Sequence, residues 1–182
     1  MKADPQAFSL PALHSLGDLA GMQPTLVIDT REQLPLTFGR LQSVPGTLMS
    51  GDYSVRGLEE LFAVERKSIA DIVGCCMGEN RERFARELHR LRGFRFKRLL
   101  VVGTEAQILD GQFHSKIKPK AILATLSAFE IRFEVPVLFC ETPELAALQI
   151  ERWAFYFARE MVETVNSLWR GRKNTLVAPV SK

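Results

Sequence analysis

The chain has little cysteine, no long apolar run and no large excess of either charge. Its cysteines are Cys75, Cys76 and Cys140; two are adjacent and none forms a CxxC pair. That spacing argues against a zinc site or a disulfide framework and suits a reducing compartment. No apolar stretch reaches the length of a membrane span, so no membrane partner is expected. The opening residues, MKADPQAFSLPALHSL, lack a basic segment followed by an apolar one, so no export signal is expected. The formal net charge of +3 over 182 residues permits a polyanionic partner without demanding one. His14, His89 and His114 have no ligand spacing and read as structural or surface residues. There is no internal repeat and no low-complexity block.

What the chain does carry is an alternation of short β-branched runs and helical periods. Residues 1–22 hold Pro5, Pro11, Gly17 and Gly21 with little period and read as a flexible arm. Thr25–Thr30, TLVIDT, reads as a buried strand. Residues 33–50, with Pro35, Gly39, Pro45 and Gly46, make a loop or a short edge strand. Asp52–Val55 and Leu61–Glu65 read as strands joined through Gly57. Ser68 N-caps a helix with Asp71 in its first turn. That helix is interrupted near Gly74 and Gly78 and resumes over Arg81–Leu91, where Phe84, Leu88 and Leu91 share a face. Arg98–Val102 is a buried strand, Ala121–Phe133 a helix and Pro136–Cys140 a strand. Pro143 opens a long helix to about Arg170, and residues 171–182 read as a flexible tail. The expected organisation is one α/β domain over 23–170, a central mixed sheet with helices on both faces.

The most informative run is GDYSVRGLEELFAVERKSIAD, Gly51 to Asp71. Strand side chains alternate, so Glu65 and Lys67 share one face of the sheet. An acid there, with Asp52 on the neighbouring strand, can hold a hard cation through oxygen. Lys67 beside them can orient or help deprotonate an attacking water. The first strand ends in VIDTRE and brings Asp29, Arg31 and Glu32 to the same end of the sheet. So many carboxylates in one pocket repel one another, and a divalent metal removes that cost. The parts are those of a magnesium-dependent phosphodiester nuclease. Asp52 and Glu65 are the expected ligands of Mg²⁺, completed by a strand carbonyl and water, with Mn²⁺ able to substitute. Asp29 and Glu32 are expected to orient a ligand, hold water or help a second metal, and one metal or two stays open. Arg66 is expected to brace the carboxylates or touch a phosphate. Asp71 is read either as a brace for Arg66 or Lys67 or as an ordinary helix cap.

The set VIDTRE, GDY and VERKSIADI resembles the nuclease domain of the XPF/ERCC4 and Mus81 family. The family signature is GD, a spacer, ERK and, three residues on, an Asp. Gly51-Asp52, Glu65-Arg66-Lys67 and Asp71 match it. The later stretch ATLSAFEIRFEVPVLFCETPELAA is similar to the helix, strand and dimerising helix that close that domain. The resemblance covers roughly residues 24–168. It implies a restriction-endonuclease-like fold and a structure-selective DNA endonuclease of repair or recombination, cutting near duplex/single-strand junctions such as flaps or forks. It further implies a catalytic set of Asp29, Asp52, Glu65, Arg66 and Lys67, the metal on Asp29, Asp52 and Glu65, and support from Arg31, Glu32 and Asp71. A cytoplasmic, nucleoid-associated location is expected in a prokaryote or virus and a nuclear one in a eukaryote. Family members usually carry a tandem helix-hairpin-helix domain after the nuclease; this chain stops at Lys182 without one, as a stand-alone nuclease or a fragment would.

Other features extend that reading. Arg81–Arg98 carries eight Lys/Arg against two Glu. It reads as a phosphate-contacting surface, with Arg81, Arg83, Arg86 and Arg90 as DNA-binding residues, rather than only a solvated helix face. Lys116, Lys118 and Lys120 in HSKIKPK either track a DNA backbone or serve solubility. Leu145, Leu148, Trp153, Phe155, Tyr156 and Phe157 are too many apolar residues for one helix face. Part of that stripe should pack on the core and the rest on a partner, which makes homodimerisation through 143–170 the expected assembly. Two other classes remain: a non-catalytic DNA-binding scaffold, and an end-processing or restriction nuclease on the same fold.

Overall fold

Strand alternation divides the molecule between two sets of helices. In the computed structural model the described residues are 23–173, with side chains described through 168. The expected arm at 1–22, with His14, and positions 174–182 of the expected tail lie outside them. Residues 23–159 form one compact unit. Its strands are β1 (Leu26–Asp29), β2 (Ser43–Gly46), β3 (Tyr53–Val55), β4 (Phe62–Ser68), β5 (Phe96–Val102) and β6 (Val137–Cys140). They form one sheet in the order β2-β1-β3-β4-β5-β6. β3 runs antiparallel to both β1 and β4, and the other neighbours are parallel, so the sheet is mixed. The helices are α1 (Ile69–Cys75), α2 (Gly78–Leu91), α3 (Glu105–Leu109), α4 (Pro119–Phe133) and α5 (Pro143–Lys173).

One sheet face, carrying Ala63, Leu99 and Val101, packs against Ile72 and Val73 of α1, Phe84, Leu88 and Leu91 of α2, and Leu126, Phe129 and Phe133 of α4. On the opposite face the Phe62 ring meets Phe157 of α5 at 5.5 Å and stacks on Phe96 at 4.5 Å. Ala63, Glu65 and Lys67 therefore point toward α1, α2 and α4, and Phe62, Val64 and Arg66 toward the α5 side. Each fully buried aromatic here contributes on the order of 2–3 kcal/mol through removal of apolar surface from water.

The elements match the expected ones with shifted ends. β4 continues to Ser68 because its parallel register with β5 runs from Phe62↔Phe96 to Ser68↔Val102, well past the apolar run. β2 is the edge strand; Pro45 is tolerated there because no further strand needs its missing N–H. α2 begins at Gly78, before Arg81, and α4 begins at Pro119, where proline suits a first turn. α3 was not expected. It is five residues long and is held by a capping box between Thr104 and Gln107.

Candidate active site

The site lies where β1, β3 and β4 meet under α2. Gly51 makes the turn into it with φ +80°, and a Cβ there would come within 3.1 Å of the Val64 carbonyl oxygen. Only glycine fits that turn without strain. Asp52 follows, just outside the assigned β3, yet pinned on both sides. Its amide donates to the Val64 carbonyl (2.8 Å) and its carbonyl accepts from the Asp29 amide (2.8 Å). Asp52, Glu65, Lys67 and Asp29 line one cavity of about 200 Å³, together with Arg31, Glu87 and Arg90. A second cavity, about 440 Å³, opens beside it along Arg31, Glu32, Asp52, Arg66, Lys67 and Arg83.

The acids fall into two groups. Asp29 is satisfied by the protein. Its Oδ1 accepts from the Arg31 amide (2.8 Å) and Arg31 Nε (2.7 Å), and its Oδ2 from Arg31 Nη2 (3.0 Å) and the Leu48 amide (2.7 Å). Burial alone would raise the Asp29 carboxyl, but these donors hold it below its ordinary range. Glu32 is similarly engaged: Arg66 reaches it with Nε (3.1 Å) and Nη2 (3.0 Å), and the Leu34 amide donates at 2.8 Å. Burial opposes that shift too, and Arg66 keeps Glu32 low.

Asp52 and Glu65 behave in the opposite way. Asp52 accepts the Arg66 amide on Oδ2 (2.7 Å), and Glu65 accepts from the Lys67 ammonium. Burial, with the Glu65 charge alongside, pushes the Asp52 carboxyl up to about 7. Burial likewise pushes Glu65 up, against the pull of Lys67. Burial would lower Lys67, but Glu65, Asp52 and Glu87 outweigh it and hold the ammonium above its usual range. No fully buried polar side-chain atom of the described residues lacks a partner, so carboxylate oxygens without a donor open onto the cavity. Fully ionised, the pair would carry more negative charge than one lysine neutralises.

A divalent cation fits that imbalance. Among the described residues no three His, Cys, Asp or Glu side chains form a ready cage for a metal. The donor set is a carboxylate pair, which suits Mg²⁺, an ion that keeps several waters and takes one or two protein carboxylates. Asp29 could join only by giving up one of its donors.

The remaining expected residues are distributed unevenly. Asp71 sits in a capping box with Ser68, whose Oγ donates to it at 2.7 Å; it lines the larger cavity without an ion pair to Arg66 or Lys67, so the capping reading describes its contacts. Arg66 braces, pairing with Glu32 by its side chain and with Asp52 by its amide. Arg81 is exposed and also has contacts within the protein. Its guanidinium donates to Thr125 Oγ1 (3.0 Å) and lies over the Phe129 ring at 5.0 Å, so it ties α2 to α4. Arg83 and Arg90 line the cavities, and Arg86 is exposed on the same helix. Lys116, Lys118 and Lys120 are exposed before and at the start of α4. On α5, Phe157 and Ile150 are buried, whereas Leu145, Phe155 and Tyr156 are exposed. Glu87 was not singled out in the sequence, although its side chain stands beside Lys67. No described helix is long and apolar enough to cross a membrane.

Residues 28–152 match the family model of the ERCC4 domain. XPF from Aeropyrum pernix is similar in structure at a TM-score of 0.58, with 22% identity, over 72% of this chain and 60% of that one. XPF from Aeropyrum pernix in complex with DNA gives a TM-score of 0.58 and 18% identity, over 76% of this chain and 66% of that one. The chain spans less than two thirds of the length of either. The mixed sheet with flanking helices is the fold they share with it. No curated protein matches the sequence.

Proposed function

The chain belongs to the ERCC4 domain family, and from that premise we propose that it is a metal-dependent DNA endonuclease selective for duplex/single-strand junctions. The observation that carries this reading is the side-by-side pair of half-buried Asp52 and buried Glu65, lining one cavity, lifted above the usual carboxylate range and flanked by Lys67. Asp52 and Glu65 would hold Mg²⁺ or Mn²⁺, with a strand carbonyl and water completing the shell. When bound, the ion neutralises charge building on the scissile phosphate and makes water easier to deprotonate. Lys67, kept cationic by its acidic neighbours, orients the attacking water and steadies its charge. Arg66 braces the site, fixing Asp52 by its amide and Glu32 by its side chain. Arg83 and Arg90, at the two cavities, are placed to hold the phosphates of the passing strand. Arg86 and the lysines at 116, 118 and 120 supply charge that draws DNA without reading its sequence.

The exposed Leu145, Phe155 and Tyr156 on α5 support a second copy of the chain as partner. The testing experiment is incision of a labelled 3′-flap and its matched duplex, with Mg²⁺ or EDTA, beside Asp52→Ala and Lys67→Ala. Cutting near the junction that needs metal and fails in both variants supports the reading. DNA binding without any cutting in Mg²⁺ or Mn²⁺ would replace it with a scaffold role.

A further inference from the structure

Lys67 has two acids within ion-pair distance, and they differ in kind. Its ammonium bonds Glu65 and stands 4.0 Å from Glu87 Oε2. Glu87 Oε1 in turn stands 3.8 Å from Arg83 Nε, one turn earlier on α2. Both separations are ion-pair distances, too long for good hydrogen bonds, so Glu87 is near two cations and closed on neither. The Phe84 ring, also on α2, lies 5.6 Å from the Lys67 ammonium. Phe84 and Glu87 are three residues apart and share the face of α2 that covers Lys67. Glu87 is part of the cavity wall with Asp52 and Glu65, and its side chain keeps 27% of its exposure.

This arrangement raises a conflict within the proposed reaction. Glu65 is both a candidate ligand for the cation and the hydrogen-bond partner of Lys67. A cation drawn to Glu65 repels the lysine ammonium beside it. A lysine with nowhere to go would weaken metal binding; a lysine with a second acid nearby can shift while staying paired.

We propose that Glu87 is a positioning residue that receives the Lys67 ammonium when Glu65 turns to the metal. The inference rests on Asp52 and Glu65 being the cation site. Glu87 then sets where the ammonium stands during cutting, on the α2 side of the cavity. It acts through Lys67 and is not itself a ligand. Arg83, the other cation near Glu87, is exposed enough to turn away as the lysine arrives.

The test is a double-mutant cycle read by Mn²⁺ binding to the folded, DNA-free protein, with free Mn²⁺ followed by electron paramagnetic resonance. Glutamine keeps helix propensity and shape, so Glu87→Gln should fold, and thermal melting without metal checks it. Glu87→Gln should weaken Mn²⁺ binding about fivefold in the otherwise unchanged chain and less than about twofold in a Lys67→Met background. An equal loss in both backgrounds would overturn the proposal, because Glu87 would then act directly on the metal. No loss in either background would overturn it as well. Failure of the unsubstituted chain to bind Mn²⁺ at all would instead remove the cation site itself, and the role of Glu87 with it.

Discussion

Two groups of acids, a few residues apart in the same corner of the sheet, have opposite electrostatics. Asp29 and Glu32 are each gripped by an arginine and by backbone amides, and both carboxyls are held low. Asp52 and Glu65 share one lysine, and both are pushed up. The residue types are alike; burial pushes every one of the four carboxyls up, more strongly at Asp52 and Glu65, and the protein supplies more donors against it at Asp29 and Glu32. A carboxylate with its donors in place is a structural brace. A close pair without enough of them is a site prepared for a cation from outside. The comparison separates the shoulder of the site from its reactive centre.

The largest effect that would sharpen this division is on cutting. Asp52→Ala or Glu65→Ala should lower flap incision about a thousandfold or more, since several kcal/mol of charge stabilisation would be lost with the cation. Asp29→Asn should act first on the fold. Replacing a buried carboxylate that holds Arg31 and the Leu48 amide should lower stability by about 2–3 kcal/mol in denaturant unfolding. If Asp29→Asn kept full stability yet abolished cutting, Asp29 would belong with the reactive pair and the division would fail.

A third prediction concerns pH. The folded Asp52 carboxyl stands raised from 3.8 to about 7, so its contribution to metal-free stability is fully present below about pH 4. That contribution is lost as pH rises toward 7, because the charged form is the one burial opposes. Melting temperatures of the metal-free chain, measured relative to Asp52→Asn, should therefore fall over this window. A flat difference would show that Asp52 is not under strain. The smallest effect is at Asp71, where Asp71→Asn should lower stability by about 0.5–1 kcal/mol through the cap and change incision less than about twofold.

Much of this corner was legible in the sequence, for a physical reason. Period-two alternation on β4 places Glu65 with Lys67 whatever the rest of the fold does, and Gly51-Asp52 announces a turn followed by an acid. The partition of the four acids was not legible. It depends on the loop at Leu48 closing over Asp29, and on which side chain of VIDTRE meets Arg66, thirty-four positions from Glu32. Arg81 carried a charge that composition assigned to DNA, while its Thr125 and Phe129 partners sit on a distant helix. Glu87 was not singled out in the sequence, because only the docking of α2 over β4 brings it to Lys67. α3 was missed because five residues give no helical period, although Thr104 and Gln107 are spaced as a capping box.

The central claim is that Asp52 and Glu65 are a cation site and not a structural pair. The most direct measurement is thermal unfolding of the chain and of Asp52→Asn at pH 7.5, each with EDTA and with Mn²⁺. The account predicts that the variant is the more stable of the two in EDTA, and that Mn²⁺ stabilises the unsubstituted chain but not the variant. A variant that is less stable in EDTA, with neither protein responding to Mn²⁺, would contradict it.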